Sequence, residues 1–574
     1  MEKGEIAELL TKAVKLKKAE IESLLEVPSQ IELGDFAFPC FRLASMFKKN
    51  PAEIAKQIQK EIKIKPSSGL EKVEAKGPYV NFFISKKAIF EEIFKNVDED
   101  YGKSKEGKGK KVIIDFSSPN VGKPMHVGHI RSTIIGDSLM REYNFLGYDT
   151  FGINYLGDIG LHIGKLIVAW ELWLDKKALK QDPVKEMLRL YVKFCELEKS
   201  ELIEGQDEAD DYTNNEWTNK AKEKLKLIEL GDKNAHEIWK EIREASGKGF
   251  DRVYKMLKVS FHETTGQSKF SETGKEIIMN FAKKGLIKQD ETGAKYIELE
   301  EAKLPKKFVL RSNGTASYIT QDIGAAVSRY KNYKFDKMIY VTDYRQSLHF
   351  QQLFEILKQF NYNFSYKCFH VGFGTVNFGK EIIASRTGKI ILLEDVLRKT
   401  VEKAEEEIKK RKTKGDAESI GVASIKYAIL RNEPVKDVEF SWNAALKFEG
   451  DTGPYLQYSY ARASSIIKKA KKSVSKNKLE IPNKIEEIEY TLAKKIKEFP
   501  CIVKHSAETL NPSLIAHYSF SLAQIFNEFY HNCKVIRAEE GKVQEIFRLS
   551  LIESFRKTLK NALYLLGIEV MEEM

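Results

Sequence analysis

The sequence has few of the features that mark secreted, zinc-stabilised or membrane proteins. Its 574 residues include five cysteines, scattered without a CxxC pair or the Cys/His spacing of zinc sites. We therefore expect neither a disulfide framework nor a structural metal, and a reducing intracellular setting follows. The N-terminus is charged and lacks the apolar core of a signal peptide, and no run is long enough to span a bilayer. A cytoplasmic protein is expected.

Positive charge is in surplus along the chain. Lysine and arginine number 95 against 83 aspartates and glutamates, which gives a formal net charge of +12. A surplus of this kind suits a polyanionic partner such as RNA, although many lysine-rich proteins are simply soluble. A chain of this length is expected to divide into about three or four domains.

The most informative stretch is residues 112–139, VIIDFSSPNVGKPMHVGHIRSTIIGDSL. It opens with an apolar, β-branched run typical of a buried strand, passes through a polar turn and ends in apolar residues at helical spacing. A strand–loop–helix joint points backbone N–H groups and the positive end of the helix at its ligand, which favours phosphate. Gly128 lets a nucleotide approach the backbone, and His126 and His129 can donate hydrogen bonds to phosphate oxygens. An isolated HxGH is more often an ordinary helix start, but the strand, turn and helix around this one favour the nucleotide.

This stretch resembles the HIGH motif, the first signature of the class I aminoacyl-tRNA synthetases, in the form HVGH. The longer run DFSSPNVGKPMHVGHIRSTIIGD resembles the arginyl-tRNA synthetases in particular. The resemblance implies that both histidines are catalytic and that ATP is bound by Pro119, Asn120, His126, Gly128 and His129. It also implies an arginine pocket completed by Asp115, Ser118 and Asn120. Asp115 stands where many relatives have glutamate.

A second informative block is residues 313–330, NGTASYITQDIGAAVSRY, in which an Asn-Gly turn precedes a helix predicted from Gly324. Tyr318 and Asp322 are four residues apart and share one face if this part is helical. A phenol beside a carboxylate can hold a guanidinium group. Spacing alone favours Asp322 as a helix cap, but the block resembles the YxTxD motif of the family, which implies that both residues recognise arginine.

Ligand-binding residues are also expected just past a predicted strand at residues 338–342, since α/β sheets bind ligands at the carboxyl ends of their strands. The resemblance implies that Gln346 there contacts substrate arginine and that His349 faces the nucleotide. The stretch NYLGDIGLHIGK resembles GDWGTQFG of the family. Its Asp158 and His162 either line the pocket or have a purely structural role.

Residues 379–393, GKEIIASRTGKIILL, stand where class I synthetases carry KMSKS, a mobile loop that closes on the triphosphate. Thr387 occupies the position of the last lysine, with Arg386 before it. The resemblance implies that Arg386 is catalytic and that Ser385 and Lys389 contact ATP. A missing cation matters because it would neutralise the charge that spreads over the leaving pyrophosphate.

Lys123, three residues before His126, can supply that cation from the other side of the triphosphate. Arginyl-type enzymes with a degenerate second signature resemble this chain in carrying the upstream lysine, so the resemblance implies a catalytic role. The plain alternative is a loop lysine that points to water.

The resemblance covers the chain apart from a helical insertion at about residues 170–262, whose charged faces are expected to be solvated. Residues 1–102 are expected to form a small α/β domain that grips tRNA. Residues 103–412 are expected to form the catalytic domain, and residues 413–574 an α-helical anticodon-binding domain. The residues implied in tRNA binding are Tyr79, Asn81, Tyr458, Arg462, Tyr530 and Met574. About half of the aromatic rings of the C-terminal domain are expected to belong to its core instead.

We therefore predict an arginine–tRNA ligase with a Rossmann-like parallel sheet. It would use ATP with Mg²⁺ to form arginyl-adenylate and pyrophosphate, and then transfer arginine to the 3′ end of its tRNA, with no side-chain nucleophile. A monomer that needs bound tRNA for the first step is expected.

Two alternatives stay open, namely a class I synthetase of another specificity and a non-catalytic tRNA-binding relative. A cysteine-specific enzyme would use zinc and a glutamate pocket would be cationic, whereas this pocket gathers Asp115 and Asp322. Thr387 favours the non-catalytic relative, and the two intact histidines favour the enzyme.

Overall fold

The structure, a computed structural model, describes residues 3–28, 33–64, 69–200, 215–312, 314–378, 392–470, 480–539 and 541–574. The chain forms two compact units. One comprises Met1–Tyr101, Ala463–Phe499 and Leu522–Leu559, and the other comprises Gly102–Arg462, Pro500–Ser521 and Lys560–Met574. No helix within the described ranges is both long and apolar enough to cross a membrane.

The N-terminal residues fold into helices on a three-stranded antiparallel sheet with the order β1-β3-β2. The elements are α1 (Lys3–Thr11), α2 (Lys18–Leu24), β1 (Phe36–Pro39), α3 (Phe41–Phe47), α4 (Pro51–Glu61), β2 (Leu70–Lys76), β3 (Tyr79–Ile84) and α5 (Lys86–Asn96). Helix α4 begins where it does because the Asn50 side chain caps it and Pro51 takes its first position. Its apolar face, with Ile54 and Ile58, joins the core of this region. The small α/β module expected here is confirmed.

The middle of the chain alternates strands and helices. Its elements are β4 (Lys111–Asp115), α6 (Gly128–Phe145), β5 (Asp149–Leu156), α7 (Leu161–Trp173), α8 (Lys176–Gln181), α9 (Pro183–Ser200), α10 (Glu216–Glu229), α11 (Lys233–Leu257), β6 (Glu263–Gly266), α12 (Ser271–Ala282), β7 (Lys288–Gln289), β8 (Lys295–Ile297), β9 (Lys307–Leu310), α13 (Tyr318–Tyr333), β10 (Lys337–Asp343), α14 (Ser347–Gln359), β11 (Cys368–Phe373), β12 (Val376–Asn377) and α15 (Leu393–Arg411). Strands β7 to β9 form a small antiparallel sheet.

Five of these strands form a parallel sheet in the order β11-β10-β4-β5-β6. The chain runs outward from β4 to β6 on one side and continues with β10 and β11 on the other. The direction of winding therefore reverses between β4 and β10, and such a reversal opens a crevice at the carboxyl ends of the strands. The Rossmann-like sheet expected from the sequence is confirmed, and its crevice is where the candidate residues converge.

Helix α13 starts earlier than the Gly324 start that the sequence suggested. Its first residue is Tyr318, and Ser317 precedes it as the N-cap residue. The Ser317 hydroxyl donates to the Val309 carbonyl (3.0 Å), which ties the first turn of the helix to β9. Tyr318 and Asp322 consequently lie one turn apart on the same helix, as their spacing predicted.

The described part of the predicted insertion is helical and consists mainly of α8 to α11, while residues 201–214 lie outside the described ranges. One part of its description was wrong, because not all of its charged side chains are solvated. Glu198 on α9 is buried, with 4% of its surface exposed, and it accepts hydrogen bonds from Lys165 on α7 (2.5 Å) and from Thr218 on α10 (2.7 Å). The buried Glu198 side chain therefore connects α7, α9 and α10.

The C-terminal part is helical, as expected. Its elements are α16 (Ala417–Leu430), β13 (Val438–Glu439), α17 (Trp442–Ala445), α18 (Gly453–Ala470), α19 (Glu487–Thr509), α20 (Ser513–Asn532) and α21 (Lys542–Leu565). Strand β13 pairs with β12. Within the larger unit, carbonyls near the ends of α19 and α21 accept hydrogen bonds from α6, through Tyr143 to Ala507 and Ser138 to Leu565 (both 2.8 Å).

Candidate active site

The loop between β4 and α6 is bent sharply at two serines. Ser117 and Ser118 have φ angles of 71° and 49°, values that non-glycine residues adopt only when neighbours stabilise them. The Ser117 N–H donates to Ser132 Oγ (2.9 Å), and the Ser118 N–H donates to Asn154 Oδ1 (3.1 Å). The bend directs the rest of the loop across the carboxyl end of the sheet.

The two histidines of HVGH lie side by side at the start of α6. Their ring centroids are 4.1 Å apart. The Gly128 N–H donates to His126 Nδ1 (3.1 Å), so the neutral His126 ring carries its proton on Nε2. Burial lowers the pKa of His129 to about 3, and desolvation together with the nearby Lys123 charge lowers the pKa of His126. Both rings are therefore neutral hydrogen-bond donors at physiological pH.

Lys123 lies in the same corner and is partly buried rather than pointing freely into water. Its ammonium is 4.7 Å from the centre of the Tyr191 ring. Burial lowers the pKa of Lys123, and its charge helps to lower the pKa values of His126, His129 and His162. Among the residues that the structure describes, no carboxylate pairs with this ammonium.

Tyr318 and Asp322 form the other side of the cleft. Asp322 is not a helix cap, since it lies one turn inside α13, and its Oδ2 accepts a hydrogen bond from His349 Nε2 (2.6 Å). The Tyr318 side chain is 47% exposed. Its hydroxyl would lie 2.9 Å from a Cβ atom at Gly160, whose φ of 139° already excludes most other residues.

The two sides belong to one cleft. A Cβ atom at Gly160 would lie 2.9 Å from the Tyr318 hydroxyl and 3.2 Å from His162 Nδ1, so these two side chains meet at Gly160. Tyr318 also contributes to the raised pKa of Tyr191, which burial mainly causes. Tyr191 in turn faces Lys123, and the Lys123 charge reaches His126. A continuous row of side chains thus connects the acidic side of the cleft to the HVGH corner.

Asp158 and His162 differ in role. Asp158 is fully buried and accepts hydrogen bonds from the Ser268 N–H (2.9 Å) and hydroxyl (2.8 Å), so it is structural. His162 is partly exposed, its Nε2 is 3.1 Å from the Gly157 carbonyl, and burial lowers its pKa to about 4. It is a neutral ring close to Lys123.

Asp115 requires a correction. It was expected to bind substrate arginine directly, but only 4% of it is exposed and both of its oxygens have partners from this chain. Oδ2 pairs with Arg329 Nη1 (2.8 Å), and Oδ1 accepts from the Ser118 hydroxyl (2.8 Å). Burial by itself would lower the pKa of Arg329, but the Asp115 carboxylate raises it, which keeps the guanidinium charged. Both Asp115 oxygens are thus occupied within this chain, and the carboxylate orients the Ser118 side chain.

Comparison with known proteins agrees with this geometry. Residues 92–442 match the model of the catalytic domain of class I (R) tRNA synthetases, residues 3–84 that of the arginyl-tRNA synthetase N-terminal domain, and residues 456–574 that of the DALR anticodon-binding domain. The arginine–tRNA ligase of Clostridium beijerinckii is 38% identical over 584 residues, covering 100% of each chain. The chain belongs to the arginyl-tRNA synthetase family.

Other relatives support this membership. The arginine–tRNA ligase of Halothermothrix orenii is 39% identical over 582 residues, covering 100% of this chain and 99% of that protein. Two solved arginyl-tRNA synthetases share the fold. The Thermus thermophilus structure has a TM-score of 0.80 at 22% identity, with both chains covered completely. The Plasmodium falciparum structure has a TM-score of 0.77 at 23% identity, covering 100% of this chain and 98% of that chain.

The remaining sequence candidates of the catalytic region lie as follows. Pro119 is buried, Asn120 and Gln346 are exposed at the crevice edge, and Ser118 is partly buried. Asn120 forms a backbone bridge to Gly157. His349 was expected to face the nucleotide, whereas the structure hydrogen bonds it to Asp322 on the acidic side of the cleft.

The second synthetase signature, with Ser385, Arg386, Thr387 and Lys389, lies outside the described residues, but both of its flanks are described. On one side, Phe378 packs against Phe440, with ring centroids 4.8 Å apart. On the other side, Leu392 bridges to His126, and the Leu393 N–H donates to the Met125 carbonyl (2.9 Å). The signature therefore rejoins the described chain directly beside HVGH.

Sequence reasoning missed Arg131, which lies two residues beyond His129 on α6 and is 1% exposed. Its guanidinium donates to three carbonyls, those of Gly374 (3.2 Å), Glu433 (3.2 Å) and Lys436. Gly374 shortly precedes the second signature, so Arg131 connects the helix of the first signature to the chain that leads into the second. No local sequence pattern indicates this, because the partners are backbone atoms far along the chain.

Of the candidate tRNA residues, Asn81 is buried and the other five are at least partly exposed. Tyr79 meets Phe41 edge-on, with ring centroids 5.7 Å apart, while the neighbouring Asn81 is only 2% exposed. The Arg462 guanidinium donates to the Tyr458 hydroxyl (3.0 Å) and lies 4.7 Å from its ring centre. In the smaller unit Tyr530 is 39% exposed, and in the larger unit Met574 is partly exposed.

Proposed function

We propose that this chain catalyses the ATP-dependent attachment of arginine to tRNA, with the cleft described above as its active site. The observation that carries the proposal is the combination, in one cleft, of two neutral histidines, a lysine without a described carboxylate partner, and the acid Asp322. The histidines and the lysine suit a triphosphate, and the acid suits a guanidinium.

In the first step the carboxylate of arginine attacks the α-phosphorus of ATP, forming arginyl-adenylate and releasing pyrophosphate. The Nε2–H of His126 donates to phosphate oxygens, and the adjacent His129 ring supports the ring of His126. Lys123, together with Arg386, stabilises the charge that gathers on pyrophosphate. No side-chain nucleophile is required, so positioning and charge stabilisation supply the acceleration. ATP brings Mg²⁺, held largely by phosphates and water.

The arginine side chain binds on the opposite side of the cleft. The His349 N–H occupies one Asp322 oxygen and fixes the orientation of the carboxylate. The Asp322 charge then faces the cleft, where it accepts hydrogen bonds from the substrate guanidinium. Tyr318 and Gln346 complete this pocket, and Ser118 and Asn120 hold the reacting end of arginine.

In the second step the terminal ribose of tRNA attacks the carbonyl of the adenylate. We assign residues 1–102 to the tRNA elbow and residues 413–574 to the anticodon, with residues 103–412 as the catalytic domain. The tRNA contacts are those predicted above, and adenylate formation requires bound tRNA. We further propose a monomer that acts in the cytoplasm.

ATP–pyrophosphate exchange tests the proposal directly. Each amino acid is supplied in turn, with and without tRNA. Exchange that depends on arginine and on tRNA(Arg) supports the proposal. Exchange with another amino acid would assign a different specificity, and silence under every condition would leave a tRNA-binding module.

A further inference from the structure

One face of α9 meets two lysines that arise elsewhere in the larger unit. Tyr191, Phe194 and Glu198 are three or four residues apart and therefore share that face. Glu198 is hydrogen bonded to Lys165 on α7 (2.5 Å), and the Phe194 ring lies 5.9 Å from the same ammonium. Tyr191 faces Lys123, with the ammonium 4.7 Å from the ring centre.

The two lysines are held in chemically different ways. The carboxylate of Glu198 cancels the charge of Lys165, and the pair is buried, with 7% and 5% of the side chains exposed. Lys123 has no described carboxylate partner, and the Tyr191 ring takes that place. An aromatic face attracts a cation through its quadrupole but carries no net charge. The Lys123 charge therefore stays available to an anion.

The surroundings of Tyr191 fix its ring. It is partly buried on α9, next to the Cys195 thiol, and burial is the main cause that raises its pKa. The hydroxyl consequently remains protonated, and the ring stays a neutral surface beneath the ammonium. Among the described side chains, none forms a hydrogen bond or ion pair with the Lys123 ammonium, so the ring contact is the specific interaction that holds it at the HVGH corner.

We propose that Tyr191 is a positioning residue, which holds the Lys123 ammonium beside the phosphates of ATP without neutralising it. This inference rests on the proposed function, in which Lys123 supplies the cation absent from the second signature. It gives the inserted helix α9 a part in the first chemical step, where the sequence had suggested only a solvated surface.

The test compares Tyr191→Leu, which removes the ring, with Tyr191→Phe, which keeps it. The matched control is Trp173→Leu. The Trp173 ring on α7 makes the same kind of contact (4.5 Å) with Lys193 of α9, and this contact lies away from the HVGH corner. In arginine- and tRNA-dependent ATP–pyrophosphate exchange, Tyr191→Leu should lower kcat about tenfold and leave the KM for arginine unchanged. Tyr191→Phe and Trp173→Leu should stay within about twofold of wild type. A thermal midpoint near that of wild type is required, and Tyr191→Met replaces the leucine variant if it unfolds.

A double-mutant cycle with Lys123→Ala separates positioning from general packing. If the ring acts through the lysine, Tyr191→Leu should cause no further loss of kcat in the Lys123→Ala background. A tenfold loss that persists in that background, or a wild-type rate for Tyr191→Leu, would overturn the inference. The proposed function fails separately, through a wild-type enzyme that shows no arginine-dependent exchange or a Lys123→Ala variant with an undiminished rate.

Discussion

Two aspartates lie near the proposed arginine pocket, and their partners are opposite in kind. Asp115 is buried against the chain's own guanidinium, Arg329, whereas Asp322 faces the cleft and is hydrogen bonded to the ring of His349. A carboxylate whose charge is already neutralised by an internal guanidinium attracts a second guanidinium only weakly. We therefore expect the proposed pocket to recognise arginine through Asp322, while Asp115 holds the loop above it.

Removing the internal guanidinium should have the largest effect. Arg329→Met leaves the Asp115 charge buried with the Ser118 hydroxyl but without a charged partner, which should lower the free energy of unfolding by roughly 3–5 kcal/mol in urea denaturation. Arg345→Met is the control, because Arg345 pairs with Asp343 on the surface with 72% of its side chain exposed, and it should cost less than about 1 kcal/mol. Equal losses of unfolding free energy in the two variants would mean that burial of the Arg329–Asp115 pair does not affect stability.

Removing the acid that faces the cleft should act on binding and not on stability. Asp322→Ala should raise the KM for arginine about 100-fold, with a smaller change in kcat, because the ground-state contact with the guanidinium is lost. Steady-state kinetics of ATP–pyrophosphate exchange measure both the KM for arginine and kcat. Asp336→Ala is the control, since Asp336 lies at the amino end of β10 and accepts from the Lys111 N–H (2.9 Å). An unaltered KM would remove Asp322 from the pocket.

The neighbour of Asp322 offers a finer test, because geometry and family resemblance disagree about it. The 2.6 Å hydrogen bond places His349 behind the acid, whereas the resemblance places it on the nucleotide. His349→Phe should therefore raise the KM for arginine about tenfold and leave the KM for ATP nearly unchanged. The reverse pattern would return His349 to the nucleotide.

A third carboxyl extends the comparison. Glu142 on α6 is fully buried, has no cation beside it in the described part of the chain, and is held by Ser138 (3.2 Å) and Ser506. Burial raises its pKa from 4.5 to about 8. Between these values the unfolded chain binds fewer protons than the folded chain, so stability should fall as the pH rises from about 5 to 8, by up to about 1.4 kcal/mol per unit.

Glu142→Gln cannot ionise and should flatten this slope in thermal unfolding measured across the same pH range. Glu272→Gln is the control, with its carboxyl 81% exposed, and it should keep the wild-type slope. A slope that Glu142→Gln leaves unchanged would mean that the carboxyl is ionised in the folded protein at neutral pH.

The parts of the site that sequence could predict are those whose chemistry is local. The strand, turn and helix of residues 112–139 and the one-turn spacing of Tyr318 and Asp322 are encoded within a few residues, so their patterns could be read directly. The partners of Asp115 and Lys123 could not be predicted in this way. Arg329 and Tyr191 lie far along the chain from the residues they contact, and only the packed sheet and the inserted helices bring them close.

The same limit explains the wrong expectation for α9. A Lys/Glu-rich helix usually presents its charges to water, and nothing in its local pattern distinguishes Glu198 from its exposed neighbours. Glu198 is buried because Lys165 lies opposite it on another helix, and the ammonium compensates the cost of removing the carboxylate from water. Charge pairing across elements is thus the information that a single sequence conceals.

The backbone pairing of Leu392 and Leu393 with the HVGH loop bears on how the second signature could diverge. The described chain that follows the second signature thus begins directly beside the first, and we expect the two signatures to border the same ligand. A substitution in one can then be offset by a side chain contributed from the other, with no change in the path of the chain. Degeneracy in one half of such a paired motif is accordingly no sign that the catalyst has been lost.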